Sequence, residues 1–228
     1  MLIHRDGLYQ FFNIGGKNYN CYCVMYKDKT VMIDCGPSCD RDAIEKNLQK
    51  DFIFGVDAII LTHAHGDSAG NAEYFSMYFN CPVYCMKISV DYVKKGTCKR
   101  PGKDHPYVKK AGAAGKVVGL LPAFIPYEAC QAVEALTSIK TKELLGEDVS
   151  LLMTPGHTMD SLSLKIGDVA LIGDAAQFNK RVLAPVFVDD EEQLGNTWET
   201  LLSQKCKYYL SAHGRAFSFE EWLKPSDQ

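Results

Sequence analysis

The chain of 228 residues is 46% hydrophobic, which is enough apolar sequence to build one globular domain over residues 1–228. Its formal net charge is −3, so there is no electrostatic reason to expect a nucleic-acid or anionic-membrane partner. No apolar run approaches the roughly 20 residues of a spanning helix, and residues 1–12 lack a signal-peptide core, so we expect a cytoplasmic protein.

The cysteine content is high, with nine in the chain. In a reducing cytosol such residues stay free and mostly buried, and that is the state we expect here. No two of them are spaced as C-x-x-C, so the sequence does not indicate a zinc ribbon or a thioredoxin-type redox motif.

The first predicted elements are strands. Alternating apolar and polar residues predict half-buried strands at 7–14 and 18–26, and a third strand at 30–33. Apolar residues at helical spacing then predict an amphipathic helix over 40–52, with Phe52 on its apolar side. Strands that alternate with helices of this length indicate an α/β architecture.

The stretch 59–71 is the most informative part of the sequence. A buried strand predicted at 56–61 ends in a loop that contains His63, His65 and Asp67. Side chains two residues apart in an extended segment point to the same side, so these three can face one point. Imidazole and carboxylate groups suit Zn²⁺, Fe²⁺ or Mn²⁺, and the loop therefore predicts a metal site.

The elements after this loop become less regular. A second helix is predicted over 68–79 with Ser68 as its N-cap, and a strand follows at 83–85. Residues 86–137 show no clear periodicity, and we expect a lid or specificity insertion there. The lysine-rich part of this segment, 94–110, would either attract an anionic substrate or form a solvated loop.

The second half of the chain resumes a regular pattern. Strands are predicted at 141–145, 150–153, 161–166, 169–172 and 208–212, with a helix over 189–203. Three candidate ligands follow apolar runs: His157 in a Pro-Gly-His-Thr turn, Asp174 after Ile-Gly, and His213 after Ser-Ala. Each alone is a weak signal, because an isolated His can be a turn residue and an Asp after a strand is often a helix cap.

Taken together and in this order, these motifs resemble those of the metallo-β-lactamase superfamily, and in particular its metal-dependent hydrolases of the glyoxalase II-like branch. The resemblance extends from about Asp34 to His213. It implies an α/β fold in the form of a four-layer αββα sandwich with mixed sheets. Asp34 is implied as a residue that supports the metal loops and orients a ligating histidine.

The resemblance also implies the metal ligands. The first metal would be held by His63, His65 and His157, with Asp174 as the bridging ligand and with Asp67 and His213 at a second metal. One position departs from the family pattern, since Ser68 stands where the motif H-x-H-x-D-H usually ends in histidine. A serine hydroxyl is a poor ligand for these ions, so we expect one tight site and a weak or absent second site.

The expected chemistry is hydrolysis. A bound divalent ion lowers the pKa of its water and polarises a carbonyl, and a metal-bound hydroxide would attack an ester, thioester, lactone or amide of a small molecule. Zinc is the most favoured metal, and Asp67 is the candidate catalytic base. Phe178, Val186 and Phe187 are predicted to line an apolar pocket.

Two alternatives stay open at this point. The first is a mononuclear iron oxidoreductase acting on a thiol or persulfide, because two histidines and one carboxylate also suit iron with open coordination positions. The second is a non-catalytic metal-binding protein.

Overall fold

The computed structural model of the chain describes residues 1–102, 105 and 122–224. The chain divides into two compact units, Met1–Leu136 and Thr137–Gln228. Within the described residues, each unit contains its own mixed sheet, of seven strands in the first unit and five in the second. About a third of the predicted insertion at 86–137 lies outside the described residues, and the assignment of residues 1–228 to one domain stays a prediction.

The sheet of the first unit changes from antiparallel to parallel pairing along its strand order. The antiparallel part comprises β1 (Leu2–Asp6), β2 (Tyr9–Asn13), β3 (Tyr22–Tyr26) and β4 (Lys29–Ile33). The parallel part continues from β4 through β5 (Ala58–Ile60), β6 (Val83–Cys85) and β7 (Val133–Ala135). Parallel strands need crossover connections, and helices supply them here.

The helices of the first unit are short. They are α1 (Arg41–Lys50), α2 (Gly66–Ala69), α3 (Ala72–Phe79) and α4 (Val90–Lys94). Helix α1 buries Ile44 and Leu48, as the spacing predicts, but Phe52 follows the helix and is 78% exposed. The prediction that Phe52 belongs to the apolar face is therefore wrong, because the chain turns at Phe52 with a φ of 57°.

The predicted helix over 68–79 is two helices. Helix α2 begins at Gly66 and α3 at Ala72, with Asn71 as the N-cap residue of α3. Ser68 lies inside α2, so its predicted role as an N-cap is wrong. The Asn71 side-chain amide instead donates to the carbonyls of Cys35, Gly36 and Pro37, at 2.9, 3.1 and 2.8 Å. The break between the helices thereby ties the ligand loop to the end of β4.

The second unit also combines antiparallel and parallel pairing. Its main sheet has the order β14 (Phe217–Ser218), β13 (Tyr208–Ser211), β10 (Val169–Gly173), β9 (Leu162–Ile166) and β8 (Val149–Met153). A separate hairpin, β11 (Gln177–Asn179) and β12 (Arg181–Leu183), was not predicted. The helices are α5 (Ser138–Leu145), α6 (Glu191–Ser203) and α7 (Phe219–Trp222).

One predicted strand of this unit is a helix. Residues 141–145 lie in α5, and the Thr137 side chain caps this helix by accepting a hydrogen bond from the Lys140 amide at 3.1 Å. Thr141, Leu144 and Leu145 are its buried residues, which is helical rather than alternating spacing. The strand prediction failed because five residues are too few to separate the two periods.

An aromatic cluster forms the core beside β13. Tyr209 is fully buried, and its ring lies 4.7 Å from that of Trp222 and 5.6 Å from that of Phe217. Trp198 of α6 reaches the same cluster and donates its indole N–H to the Ala175 carbonyl at 2.7 Å. This contact fixes the backbone directly after Asp174.

All nine cysteines are free, and eight of them are buried. This agrees with the expectation of reduced, mostly buried thiols. Burial raises the pKa of Cys81 and Cys206 to about 11 and that of Cys130 to about 12. Among the described residues, no helix is long and apolar enough to cross a membrane.

Candidate metal centre

The first group of candidate ligands lies where β5 ends. His63 and His65 are each 1% exposed, and their ring centroids are 4.8 Å apart. Asp67 is half-buried in the first turn of α2. The alternation in this stretch thus brings the two imidazoles together, as the sequence predicts, and the helix that starts at Gly66 carries the carboxylate.

A hydrogen-bond relay orients His63. Asp34 is buried and accepts two bonds from Thr62, from the backbone amide at 2.8 Å and from the hydroxyl at 2.8 Å. The same hydroxyl lies 3.0 Å from Nδ1 of His63. Because its one proton goes to the carboxylate, the hydroxyl must accept from Nδ1–H, which places the imidazole lone pair on Nε2. Such a relay fixes the tautomer of a metal-ligating histidine.

The relay makes the Thr62 hydroxyl a testable component. Thr62→Val keeps the side-chain shape but disconnects Asp34 from His63, and we expect the dissociation constant for metal to rise about 10–100-fold. Thr62→Ser keeps the hydroxyl and is expected to bind metal nearly as the wild type does. Competition with a chromophoric chelator measures the affinity, and the melting temperature of each metal-free variant separates this effect from a loss of stability. Equal affinities in the valine and serine variants would refute the role of the hydroxyl.

Ser68 lies on the Nδ1 side of His63. Its hydroxyl is 3.4 Å from that nitrogen, and the residue is 2% exposed. Its carbonyl accepts from the Cys35 amide at 2.8 Å and from the Cys35 thiol at 3.1 Å. Ser68 therefore contacts the ring edge opposite Nε2 and joins α2 to the end of β4.

Aromatic residues that the sequence did not single out border the ligand loop. The Phe124 ring lies 5.0 Å from that of His65 in an edge arrangement, and Phe124 is 2% exposed. The Tyr127 hydroxyl is 3.0 Å from the carbonyl of Ala64 and 3.0 Å from that of Thr97. These contacts show that the carboxyl-terminal part of the irregular segment 86–137 packs against the loop.

The second group of candidate ligands surrounds Asp174 in the second unit. One carboxylate oxygen of Asp174 lies 3.4 Å from Nε2 of His157, and the other lies 3.4 Å from Nε2 of His213. The side chains of His157 and Asp174 are almost fully buried, whereas that of His213 is 26% exposed. Asp174 thus has one histidine at each oxygen, the arrangement expected of a carboxylate that bridges two positions.

Local contacts set the position of His157. Its Nδ1 donates to the Phe187 carbonyl, 2.7 Å away, and so leaves the lone pair on Nε2. Gly156 has a φ of 133°, and a Cβ atom there would lie 2.5 Å from the Leu194 backbone of α6. The Gly156 carbonyl accepts from the amides of Asp189 and Asp190 at 2.8 and 3.0 Å. The turn is therefore packed directly on the start of α6, which only glycine permits.

Strand pairing sets the other two ligands. Strands β10 and β13 are parallel, and their register shifts between Leu171 and Gly173. The Ala212 amide donates to the Gly173 carbonyl at 2.9 Å, so Asp174 and His213 follow directly paired residues. Because parallel strands end at the same sheet edge, both side chains emerge together.

The predicted apolar lining by Phe178, Val186 and Phe187 stays a prediction, and the structure places the three residues differently. Phe187 is buried and contacts His157 through its carbonyl and its ring. Phe178 stacks beneath Arg215, and Val186 is 74% exposed. The contribution of Phe187 comes from its backbone, which no apolar pattern reveals.

The two groups offer the donor set of a divalent-metal protein. His63 and His65 in one unit and His157 and Asp174 in the other are candidate ligands. Imidazole nitrogens and carboxylate oxygens are the donors that zinc and iron sites use, and their burial makes coordination strong. The residues present therefore fit such an ion.

The chain belongs to the metallo-β-lactamase superfamily, whose family model matches residues 14–213. Its fold is the α/β fold of that family with mixed sheets, as the sequence resemblance implied. A metallo-β-lactamase superfamily protein from Sulfolobus tokodaii, ST1585, is a similar solved structure with a TM-score of 0.64 and 22% identity, covering 89% of this chain and 76% of that one.

Two curated relatives carry names that refer to hydrolysis. The chain is 27% identical to the probable metallo-hydrolase MJ0888 of Methanocaldococcus jannaschii over 70% of this chain and 68% of the relative. It is 30% identical to the probable metallo-hydrolase YflN of Bacillus subtilis over 72% of this chain. The match spans 62% of YflN. The transcription termination factor FttA of M. jannaschii is 33% identical over 40% of this chain and 16% of its own length.

Proposed function

We propose that this chain is a metal-dependent hydrolase that cleaves an ester, thioester, lactone or amide of a small molecule. The observation that carries the proposal is the fixed direction of the buried histidines. His63 and His157 each have Nδ1 engaged by an oxygen of their own unit, which directs the lone pair to Nε2. Membership of the superfamily and the names of MJ0888 and YflN support hydrolysis.

The proposed ligand roles are those that the family resemblance implies. We assign the tight first site to His63, His65 and His157, with Asp174 as bridging carboxylate and with Asp67 and His213 reserved for a second ion. A bound divalent ion supplies Lewis-acid chemistry, lowering the pKa of water and polarising a carbonyl oxygen. Zinc is the proposed metal, since three imidazoles and one carboxylate suit its tetrahedral preference.

The protein's own residues then have separate tasks. The Asp34–Thr62 pair holds the tautomer of His63, and the Phe187 carbonyl holds that of His157. Asp67 lies in the first turn of α2. In the proposed reaction the Asp67 carboxylate orients the attacking water and accepts its proton.

The contact of Ser68 with the Nδ1 side of His63 supports a weak or absent second site. A one-ion protein also keeps the iron oxidoreductase as the second candidate, because a mononuclear centre with open positions serves oxygen chemistry. FttA relatives are named as transcription termination factors, but the chain spans at most 32% of those it matches. We therefore do not extend their role to this protein.

Elemental analysis of protein purified anaerobically without added metal is the test. We expect about one zinc per chain, together with turnover of at least one substrate in a panel of aryl esters, thioesters, lactones and β-lactams. About one iron per chain, together with oxidation of a thiol or persulfide, would favour the iron oxidoreductase over the hydrolase. About two ions per chain after mild dialysis would contradict the disabled second site. A metal-free protein that binds no added metal would refute the proposal.

A further inference from the structure

A cavity in the second unit lies beside the segments that carry two of the proposed ligands. Its volume is about 580 Å³. The chain from Asp174 continues into the β11–β12 hairpin on one side of this cavity, and the chain from His213 continues to Arg215 on another. Its charged and aromatic lining residues are Phe178, Lys180, Arg181, Arg215, Glu221 and Lys224.

The lining carries an excess of positive charge, with four cations and one carboxylate. Arg215 and Glu221 form a two-point ion pair, at 2.5 and 3.1 Å. These hydrogen bonds lower the pKa of Glu221 to about 2, so the pair stays charged and internally balanced across the neutral range. Lys180, Arg181 and Lys224 form no ion pair with any other residue that the structure describes. Among the described lining residues, four cations against one carboxylate leave a net excess of three positive charges around the cavity.

Packing fixes two of the segments that line the cavity. The Arg215 guanidinium lies 3.9 Å from the centre of the Phe178 ring. Gly214 pairs with Phe178, and a Cβ atom at Gly214 would lie 2.1 Å from the Phe178 carbonyl oxygen. The hairpin is thus attached closely to the segment after His213. Lys180, at a φ of 64°, forms the tip of this hairpin and precedes Arg181 directly.

We infer that this cavity binds the phosphate group of a small phosphorylated molecule. Arginine and lysine donors are the common protein partners of phosphate, and a dianion matches a net excess of three positive charges better than a single carboxylate does. A volume of 580 Å³ falls within the range of small-molecule sites, roughly 300–1,000 Å³. The whole chain has a net charge of −3, which favours a compact anion at this one place over a long nucleic acid.

The segments that line the cavity follow Asp174 and His213 closely in the sequence, which suggests a role for the cavity in substrate binding. If the phosphorylated molecule is the substrate of the proposed hydrolase, this cavity binds its phosphate remotely from the bond that is cleaved. That second statement rests on the proposed function, whereas phosphate binding at the cavity does not. The two can therefore be tested separately.

The test is calorimetric titration of the metal-loaded protein with inorganic phosphate at low ionic strength. The cavity variant is Arg181→Gln/Lys224→Gln, and the matched control is Lys205→Gln/Lys207→Gln, which removes the same charge from the same unit outside the lining. We expect the cavity variant to raise the phosphate Kd at least about tenfold, equivalent to ~1.4 kcal/mol. The control should leave the Kd close to that of the wild type.

The other outcomes overturn the inference. Equal phosphate affinities in the cavity variant and the wild type would place the anion elsewhere, for example at the metal. Absence of phosphate binding to the wild type would refute the site. Tight, length-dependent binding of an RNA oligonucleotide that the cavity variant abolishes would replace the small molecule by nucleic acid. No part of this test measures turnover. A negative titration therefore does not contradict the proposed hydrolase function, and a failed hydrolase assay does not contradict phosphate binding.

Discussion

Replacing His157 by alanine is expected to remove the proposed tightly bound metal and to lower turnover by about 10³-fold or more. Its Nε2 lies 3.4 Å from Asp174 and its Nδ1 is engaged by the Phe187 carbonyl, so alanine removes a nitrogen donor that is held beside the proposed bridging carboxylate. A metal ion contributes several kcal/mol of transition-state stabilisation, and each ~1.4 kcal/mol corresponds to a factor of ten in rate. Elemental analysis and the substrate panel measure the two effects on one preparation.

The matched control for this experiment is His4→Ala. His4 lies on the edge strand β1 of the first unit and stacks on Phe11 at 6.2 Å between ring centroids, so the change removes an imidazole without touching a proposed ligand. We expect its metal content and turnover to equal those of the wild type. Full metal content in the His157 variant would exclude His157 from the ligands, and full turnover without metal would exclude a metal-dependent reaction.

Replacing Asp67 by asparagine lowers turnover by about 10²–10⁴-fold while the first metal stays bound. Asparagine keeps the shape and the place of Asp67 in the first turn of α2, but its amide accepts no proton from water. Turnover across pH, measured alongside metal content, separates chemistry from binding. The loss should persist at every pH at which the wild type is active, because no titration restores a base to asparagine.

Asp148→Asn provides the control for a lost carboxylate, since Asp148 is exposed in the turn before β8. It should leave turnover unchanged. Unchanged turnover in the Asp67 variant would refute its role as the base. Loss of the metal from that variant would instead make Asp67 an indispensable ligand of the first site.

The ligand loop could be predicted from the sequence because the residues that define it lie close together in the chain. An apolar strand, an abrupt end and alternating His63 and His65 are enough to place two imidazoles on one side. The β9–β10 hairpin and the strand at Val83–Cys85 were confirmed for the same reason, since turn residues and periodicity lie within a few positions. Asp34 was also identified as a supporting residue, through the family resemblance.

What the sequence did not reveal depends on distant partners. Thr62 gains its role from Asp34, which is 28 positions away, and His157 is fixed by a backbone carbonyl 30 positions away. Ser68 looked like a helix cap because Ser before an apolar helix usually is one, yet α2 had already begun at Gly66. The β11–β12 hairpin was missed because three-residue strands carry too little periodicity to detect.

Because eight of the nine cysteines are buried, one native thiol is accessible for chemical labelling. Cys39 is the exposed thiol, in the turn between β4 and α1. The others are shielded, and those whose pKa burial raises are poor nucleophiles as well. A maleimide fluorophore or spin label therefore reacts selectively at Cys39 in the unmodified chain. Spectroscopic distances from the first unit to a single cysteine introduced into the second can then be measured without removing any native cysteine.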